Sequence, residues 1–232
     1  MSPPRANFHP SPTHNLPPSG PYTSETYTRR TDHTPNTTQP PENEDHYILT
    51  LHTDRTHHAS ITRLRNRHFP AHLNKLSAHI ALFRALPSSH LQTITDDIAS
   101  VCSHYHSFPI TVTSPFLLKR GVGINVSAEP AREIHRELKG KWGEWLSKQD
   151  RGGGGRLHYT VQNFVGEGGK REEALRDVKG SGVEGTKGEV RGLRLWRYER
   201  GYWGFVRDFE FAGGREGREE GEGEGEGIGD VA

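Results

Sequence analysis

Apolar residues along the chain recur with two different periods, and the two kinds of segment interleave. Tyr47–Leu51 is a short apolar run of strand length. His57 to Arg67 reads as a helix with Ile61 and Leu64 on one face, ended by Pro70. His79–Leu86 is a second apolar run, closed by Pro87. Ser88 or Ser89 is the expected cap of the next helix, whose Leu91, Ile94, Ile98 and Val101 follow a 3.6-residue period. Ile110–Leu118 and Val122–Ser127 read as strands around the turn Lys119-Arg120-Gly121. After Ser127 comes a helix with Pro130 in its first turn and a stripe of Ile134, Leu138, Trp142 and Trp145. Gly152–Gly155 breaks the pattern, Leu157–Val165 reads as a strand and Arg171–Val178 as a short helix. Leu193–Tyr198 and Trp203–Phe211 form a closing hairpin, turned at Glu199-Arg200-Gly201. Helices alternate with hairpin-linked strands, so the expected class is α+β with antiparallel pairing.

The pattern fades at both ends. Residues 1–45 carry 10 of the 15 prolines, set among Ser, Thr, Asn and His. Residues 213–232 are a Gly/Glu repeat with seven acids and two Arg. Neither segment holds enough apolar surface to offset the entropy of ordering, so both read as disordered tails. They help explain a hydrophobic fraction of only 31%, against roughly 45–50% (Gly counted) in an average globular chain. The domain is therefore expected at 46–212. The split also changes the charge. The whole chain sums to +1, but residues 46–212 hold 25 Lys+Arg against 17 Asp+Glu, or +8. That surface suits an anionic partner. No stretch approaches the ~18 apolar residues of a membrane span, and the start lacks the basic and apolar regions of a secretory signal. Cys102 is the single cysteine, which excludes an internal disulfide and a multi-cysteine zinc site. The expectation is an intracellular protein, cytoplasmic or nuclear, acting as a monomer away from membranes.

Two of the strands begin alike. His79-Ile80-Ala81-Leu82 and His158-Tyr159-Thr160-Val161 share the form His-x-small-aliphatic, 79 residues apart. Residues i and i+2 of a strand share a face, so His79 goes with Ala81, and His158 with Thr160. If the strands face each other across a groove, two imidazoles flank one ligand. Two histidines about one phosphate suit metal-free phosphodiester cleavage. A neutral imidazole takes a proton from the attacking oxygen, and an imidazolium donates one to the leaving oxygen. The Thr160 hydroxyl is placed to hydrogen-bond a phosphate oxygen. On spacing alone, a chain with 15 histidines also yields a His-x-Thr by chance. The pattern makes His79 and His158 candidates for a catalytic pair and Thr160 a candidate phosphate ligand, in a chemistry that needs no metal and no cofactor.

These two elements and their flanks resemble the two-histidine (2H) phosphoesterase superfamily, in its fungal RNA ligase-like and cyclic phosphodiesterase branch. The likeness runs over about 46–212 and includes Arg67-His68-Phe69-Pro70, Ala78 to Pro87, Arg120-Gly121-Val122-Gly123, Trp145 to Arg151, His158 to Asn163 and Leu195-Trp196-Arg197-Tyr198. It implies a bilobed fold, with two related α+β lobes around a central groove and one His-x-Thr/Ser motif from each. It implies metal-independent action on RNA ends, 2′,3′-cyclic nucleotides or ADP-ribose cyclic phosphates, as hydrolysis or 2′,5′ ligation. One departure stands out: Ala81 occupies the position where the family's first motif has Thr or Ser. The alternative is therefore a catalytically weakened module that binds RNA or nucleotide phosphates.

Other positions have plainer readings. Arg84, Lys119, Arg120 and Arg151 either line a basic groove or are solvated. Tyr159 points away from His158 and belongs to the core. Tyr202 and Trp203 either pack or stack on a nucleobase. Cys102, His104 and His106 do not match zinc spacing, and Cys102 reads as a small buried hydrophobe. His57-His58 reads as a solvated helix start.

Overall fold

The computed structural model describes residues 45–152, 156–166 and 169–212. The expected tails, Asp45 apart, and most of the Gly152–Gly155 stretch lie outside these residues; the Asp45 carbonyl accepts the Ser88 N–H at 3.0 Å. The apolar run at Tyr47 becomes β1, His46–Thr53. Its central residues are buried on both faces, which is why it lacks polar alternation. α1, Arg55–His68, follows at once. Asp54 caps it by accepting the His57 N–H at 2.9 Å, and its second oxygen accepts the Glu189 N–H at 2.8 Å. Burial of Asp54 opposes its charge, but those backbone donors prevail and hold its carboxyl below the usual range. β2 spans Ala81–Pro87 and α2 spans Leu91–His104. β3, Phe108–Leu118, and β4, Gly121–Ser127, make the expected hairpin. α3 is Glu129–Trp142, α4 Lys148–Gly152, β5 His158–Gln162 and α5 Lys170–Gly180. β6, Lys187–Glu199, and β7, Tyr202–Glu210, close the described residues.

All strand pairs are antiparallel, in the order β2-β1-β6-β3-β4-β5, with β7 also on β6. The long β6 joins two halves. Its residues 187–190 pair with β3, while 192–199 pair with β7 on that same edge. On its other edge it pairs with β1. One half is thus β2-β1-β6-β7 and the other β6-β3-β4-β5. The two strands that follow or carry the repeated histidines, β2 and β5, are the ends of the path. The mixed helix and antiparallel sheet agrees with the expected class.

The apolar stripes pack as their periods require. Ile61, Ile94, Ile98, Ile134, Leu138 and Trp142 are all at most 1% exposed. Cys102 is buried, and that burial pushes its thiol up to about 12. Several local expectations are corrected. The helix after Pro87 is not capped by Ser88 or Ser89: a 3-10 turn, Ser88–His90, intervenes and moves the Ncap to His90. Trp145, read as part of the stripe of the helix after Ser127, lies beyond the end of α3 at Trp142. β5 stops at Gln162 instead of Val165, because Phe164 adopts φ 61°, outside the extended region. His57 is 5% exposed rather than solvated, since its ring fills the space against Gly188 that a Cβ there would occupy.

Candidate active site

His79 lies two residues before β2 begins, a correction to the strand start read from the sequence. Ile80 is still tied to the sheet, its carbonyl accepting the Leu51 N–H at 3.0 Å. His158 is the first residue of β5. Ile80 and Leu82 are buried while His79 and Ala81 are half-buried, and β5 repeats this with Tyr159 and Val161 against His158 and Thr160. The alternation places each histidine with its i+2 partner, and Tyr159 goes to the core as expected.

The two imidazoles are anchored in the same way. Nδ1 of His79 lies 2.8 Å from the Ser77 carbonyl, and Nδ1 of His158 lies 3.0 Å from the Arg156 carbonyl. Each partner is the residue two positions upstream. A carbonyl only accepts, so both Nδ1 atoms carry the proton and both Nε2 atoms are left with a free lone pair in the neutral ring. Burial pushes His79 down to about 4, the Ser77 carbonyl opposes this, and the positive charges of Arg65 and Arg84, with that of His158 once it is protonated, add to it. Burial also lowers His158, the Arg156 carbonyl opposes, and Arg84 and the Arg156 guanidinium add to the lowering. The two histidines and Arg84 are therefore within electrostatic reach of one another, and both rings are neutral at pH 7.

β2, which follows His79, and β5, which carries His158, are sheet edges, each without a strand neighbour on one side. Charged side chains cap both. Arg65 of α1 is 4% exposed. Its guanidinium donates to the Thr160 carbonyl at 2.6 Å, and to the Leu76 carbonyl and Asn74 Oδ1, each at 3.0 Å. It also stacks over Phe69 at 3.9 Å. On the other edge, buried Asp150 accepts the Arg84 N–H at 3.0 Å and the Ala85 N–H at 2.9 Å. Neither residue has a signal in the sequence pattern, since each is a lone polar residue whose partner is far along the chain.

A cavity of about 1030 Å³ borders His79, with Lys75, His52, Arg194, Trp196 and Trp203 among its walls. His158 and Thr160 do not line it. The Trp203 ring lies 4.4 Å from that of His79 and 6.1 Å from that of Trp196. Trp203 is half-buried, so it both packs and offers part of its ring to the cavity. On the other side, Phe116 meets His158 edge-on at 5.8 Å and carries Arg156 at 3.6 Å over its face. Among the described residues no group of three or more His, Cys, Asp or Glu has metal-binding geometry, and His104 and His106 each bond a backbone carbonyl. No helix among them is long and apolar enough to cross a membrane.

The family model for the 2′-5′ RNA ligase superfamily matches residues 53–202. Two solved structures share the fold. TT0787 of Thermus thermophilus superposes with a TM-score of 0.53 at 12% identity, covering 72% of this chain and 97% of that one. E. coli LigT in its apo form gives a TM-score of 0.50 at 11% identity, with 72% and 98% covered. No curated protein matches the chain by sequence.

Proposed function

Because the chain belongs to the 2′-5′ RNA ligase superfamily of 2H phosphoesterases, we propose that residues 46–212 form a metal-independent phosphoesterase or 2′,5′ ligase-like unit acting on 2′,3′-cyclic phosphates of nucleotides or RNA ends. His79 and His158 are the acid/base pair in this reading, and Thr160 holds the phosphate. The observation that carries it is the shared anchoring of the two imidazoles, each fixed through Nδ1 to the carbonyl two residues back.

In the hydrolytic direction, water attacks phosphorus. A neutral imidazole accepts its proton at Nε2, a P–O bond forms, and the bond to the ribose oxygen breaks. The second histidine, as imidazolium, gives its proton to that oxygen. The pair ends with its protonation states exchanged and resets through solvent. Both rings are neutral in the free protein, so the acid has to be charged by its substrate. A phosphodiester anion between them does this, because it favours the protonated form. The Thr160 hydroxyl and nearby cations then stabilise charge that grows in the transition state.

The test is turnover of a 2′,3′-cyclic nucleotide by the full chain with EDTA present. Loss of activity on adding EDTA contradicts the metal-free reading. Activity retained in both His79→Ala and His158→Ala removes the acid/base assignment. A second reading, a phosphate-binding module without turnover, draws on the missing hydroxyl at Ala81. Micromolar RNA binding with no turnover, in the wild type and in Ala81→Thr alike, would favour it.

A further inference from the structure

We propose that Arg84 is the substrate-phosphate ligand that replaces the hydroxyl absent at Ala81, an assignment resting on the two-histidine reading above. A regular strand would make this impossible. With strict alternation, His79 and Ala81 share their face with residue 83, and residue 84 turns away. β2 is not regular. Thr50 pairs with Ala81 and the adjacent Leu49 pairs with Phe83, so β2 spends one extra residue at this point. That is a β-bulge, and a bulge re-aims the side chains beyond it. Burial follows the bulge: Leu82 and Phe83 are both buried in succession, while Ala81 is half-buried and Arg84 exposed. A second register shift follows, with Arg84 and Ala85 both lying between the Leu49–Phe83 and Tyr47–Leu86 pairs. The run of exposed Arg84 and half-buried Ala85 before buried Leu86 puts Arg84 on the face that carries His79 and Ala81.

Three further observations agree. The Arg84 guanidinium has no carboxylate partner among the described residues, unlike Arg191, Arg194 and Arg197, which each pair with an acid. Its backbone is fixed, since its N–H and that of Ala85 both bond the buried Asp150 carboxylate. Its charge also reaches both imidazoles. An unpaired guanidinium on a pinned backbone, its charge felt by both histidines, is suited to an anion, because its planar fork matches two phosphate oxygens. Alanine at position 81 then leaves room without leaving the phosphate short of a donor.

The experiment compares full-length wild type, Arg84→Ala, Arg84→Lys, Ala81→Thr and the Arg84→Ala/Ala81→Thr double variant. One assay is cyclic-nucleotide turnover. The other is titration with inorganic phosphate, followed by the NMR signals of His79 and His158. Arg84→Ala should lower kcat/KM roughly 10- to 100-fold, the worth of a charge-assisted hydrogen bond. Arg84→Lys should recover part of the loss. Ala81→Thr should raise activity more in the Arg84→Ala background than alone, because the new hydroxyl supplies a missing donor only there. Phosphate affinity should fall in Arg84→Ala, and both histidines of the free variant should titrate higher. Wild-type kcat/KM in Arg84→Ala, or equal gains from Ala81→Thr in both backgrounds, overturns the assignment. If the wild type turns nothing over, the reading of the function fails, and the phosphate titration decides Arg84 alone: unchanged affinity in Arg84→Ala refutes it.

Discussion

Arg65 offers a direct way to break the link between the two motif strands. Its guanidinium is the donor for two backbone carbonyls, Leu76 ahead of His79 and Thr160 in β5. At 4% exposure, water does not readily replace it. Burial lowers its pKa to about 10, which still leaves it charged at neutral pH. Replacing it with alanine orphans two acceptors at about 1–3 kcal/mol each. The contact over Phe69 is lost as well, at about 0.5–2 kcal/mol. Part of this is returned because a buried charge no longer has to be desolvated. A net loss of about 3 kcal/mol corresponds to a fall in Tm of roughly 6–12 °C for a domain of this size. Arg65→Lys keeps the charge but not the fork, so it should fall about halfway. The assay is thermal unfolding of the full chain beside cyclic-phosphate turnover, since a slack β5 also displaces His158. A drop below ~2 °C in Arg65→Ala with unchanged kcat/KM would refute the role given to this side chain.

The remaining predictions use other features of the same framework. His52, His57, His58, His68, His79, His135 and His158 all have their pKa lowered, chiefly by burial. The unfolded chain therefore binds more protons below its ordinary histidine pKa of 6.5, so stability should decline as pH falls through 6.5, for His79 down to about 4; a denaturation midpoint that stays flat from pH 7 to 5 contradicts this. Gly121→Ala should destabilise severely, because its Cβ would lie 1.9 Å from the Gln162 carbonyl oxygen, a backbone atom of β5; a Tm within ~2 °C of wild type would show that β5 moves freely. Trp203→Ala should raise KM for a base-bearing substrate more than it weakens binding of inorganic phosphate, since the ring beside His79 walls the cavity; equal changes for both would confine Trp203 to packing. Cys102 should resist a thiol reagent in the native chain at pH 8 and react on unfolding, as expected for a buried thiol pushed up to about 12.

Much of the framework was legible in the sequence because it rests on local periodicity. The apolar runs at Tyr47 and Ile110, the 3.6-residue stripe of Leu91 to Val101 and the hairpin turn at Glu199-Arg200-Gly201 each specify an element from adjacent residues. The histidine repeat was also visible, since an i, i+2 pattern fixes a face once the strand is known. What tertiary structure decided lies where that logic fails. His57 looked solvated beside His58, yet it is buried because Gly188, distant in sequence, makes room for its ring. Arg65 and Asp150 carry no periodic signal. Arg65 bonds a residue 95 positions away and Asp150 one 66 positions away, and only folding brings them to the exposed edges of β5 and β2. The bulge in β2 is set by its pairing with β1, because register belongs to two strands together and cannot be read from one. Sequence thus determined which elements form and which histidines resemble each other; the sheet decided which cation stands beside them.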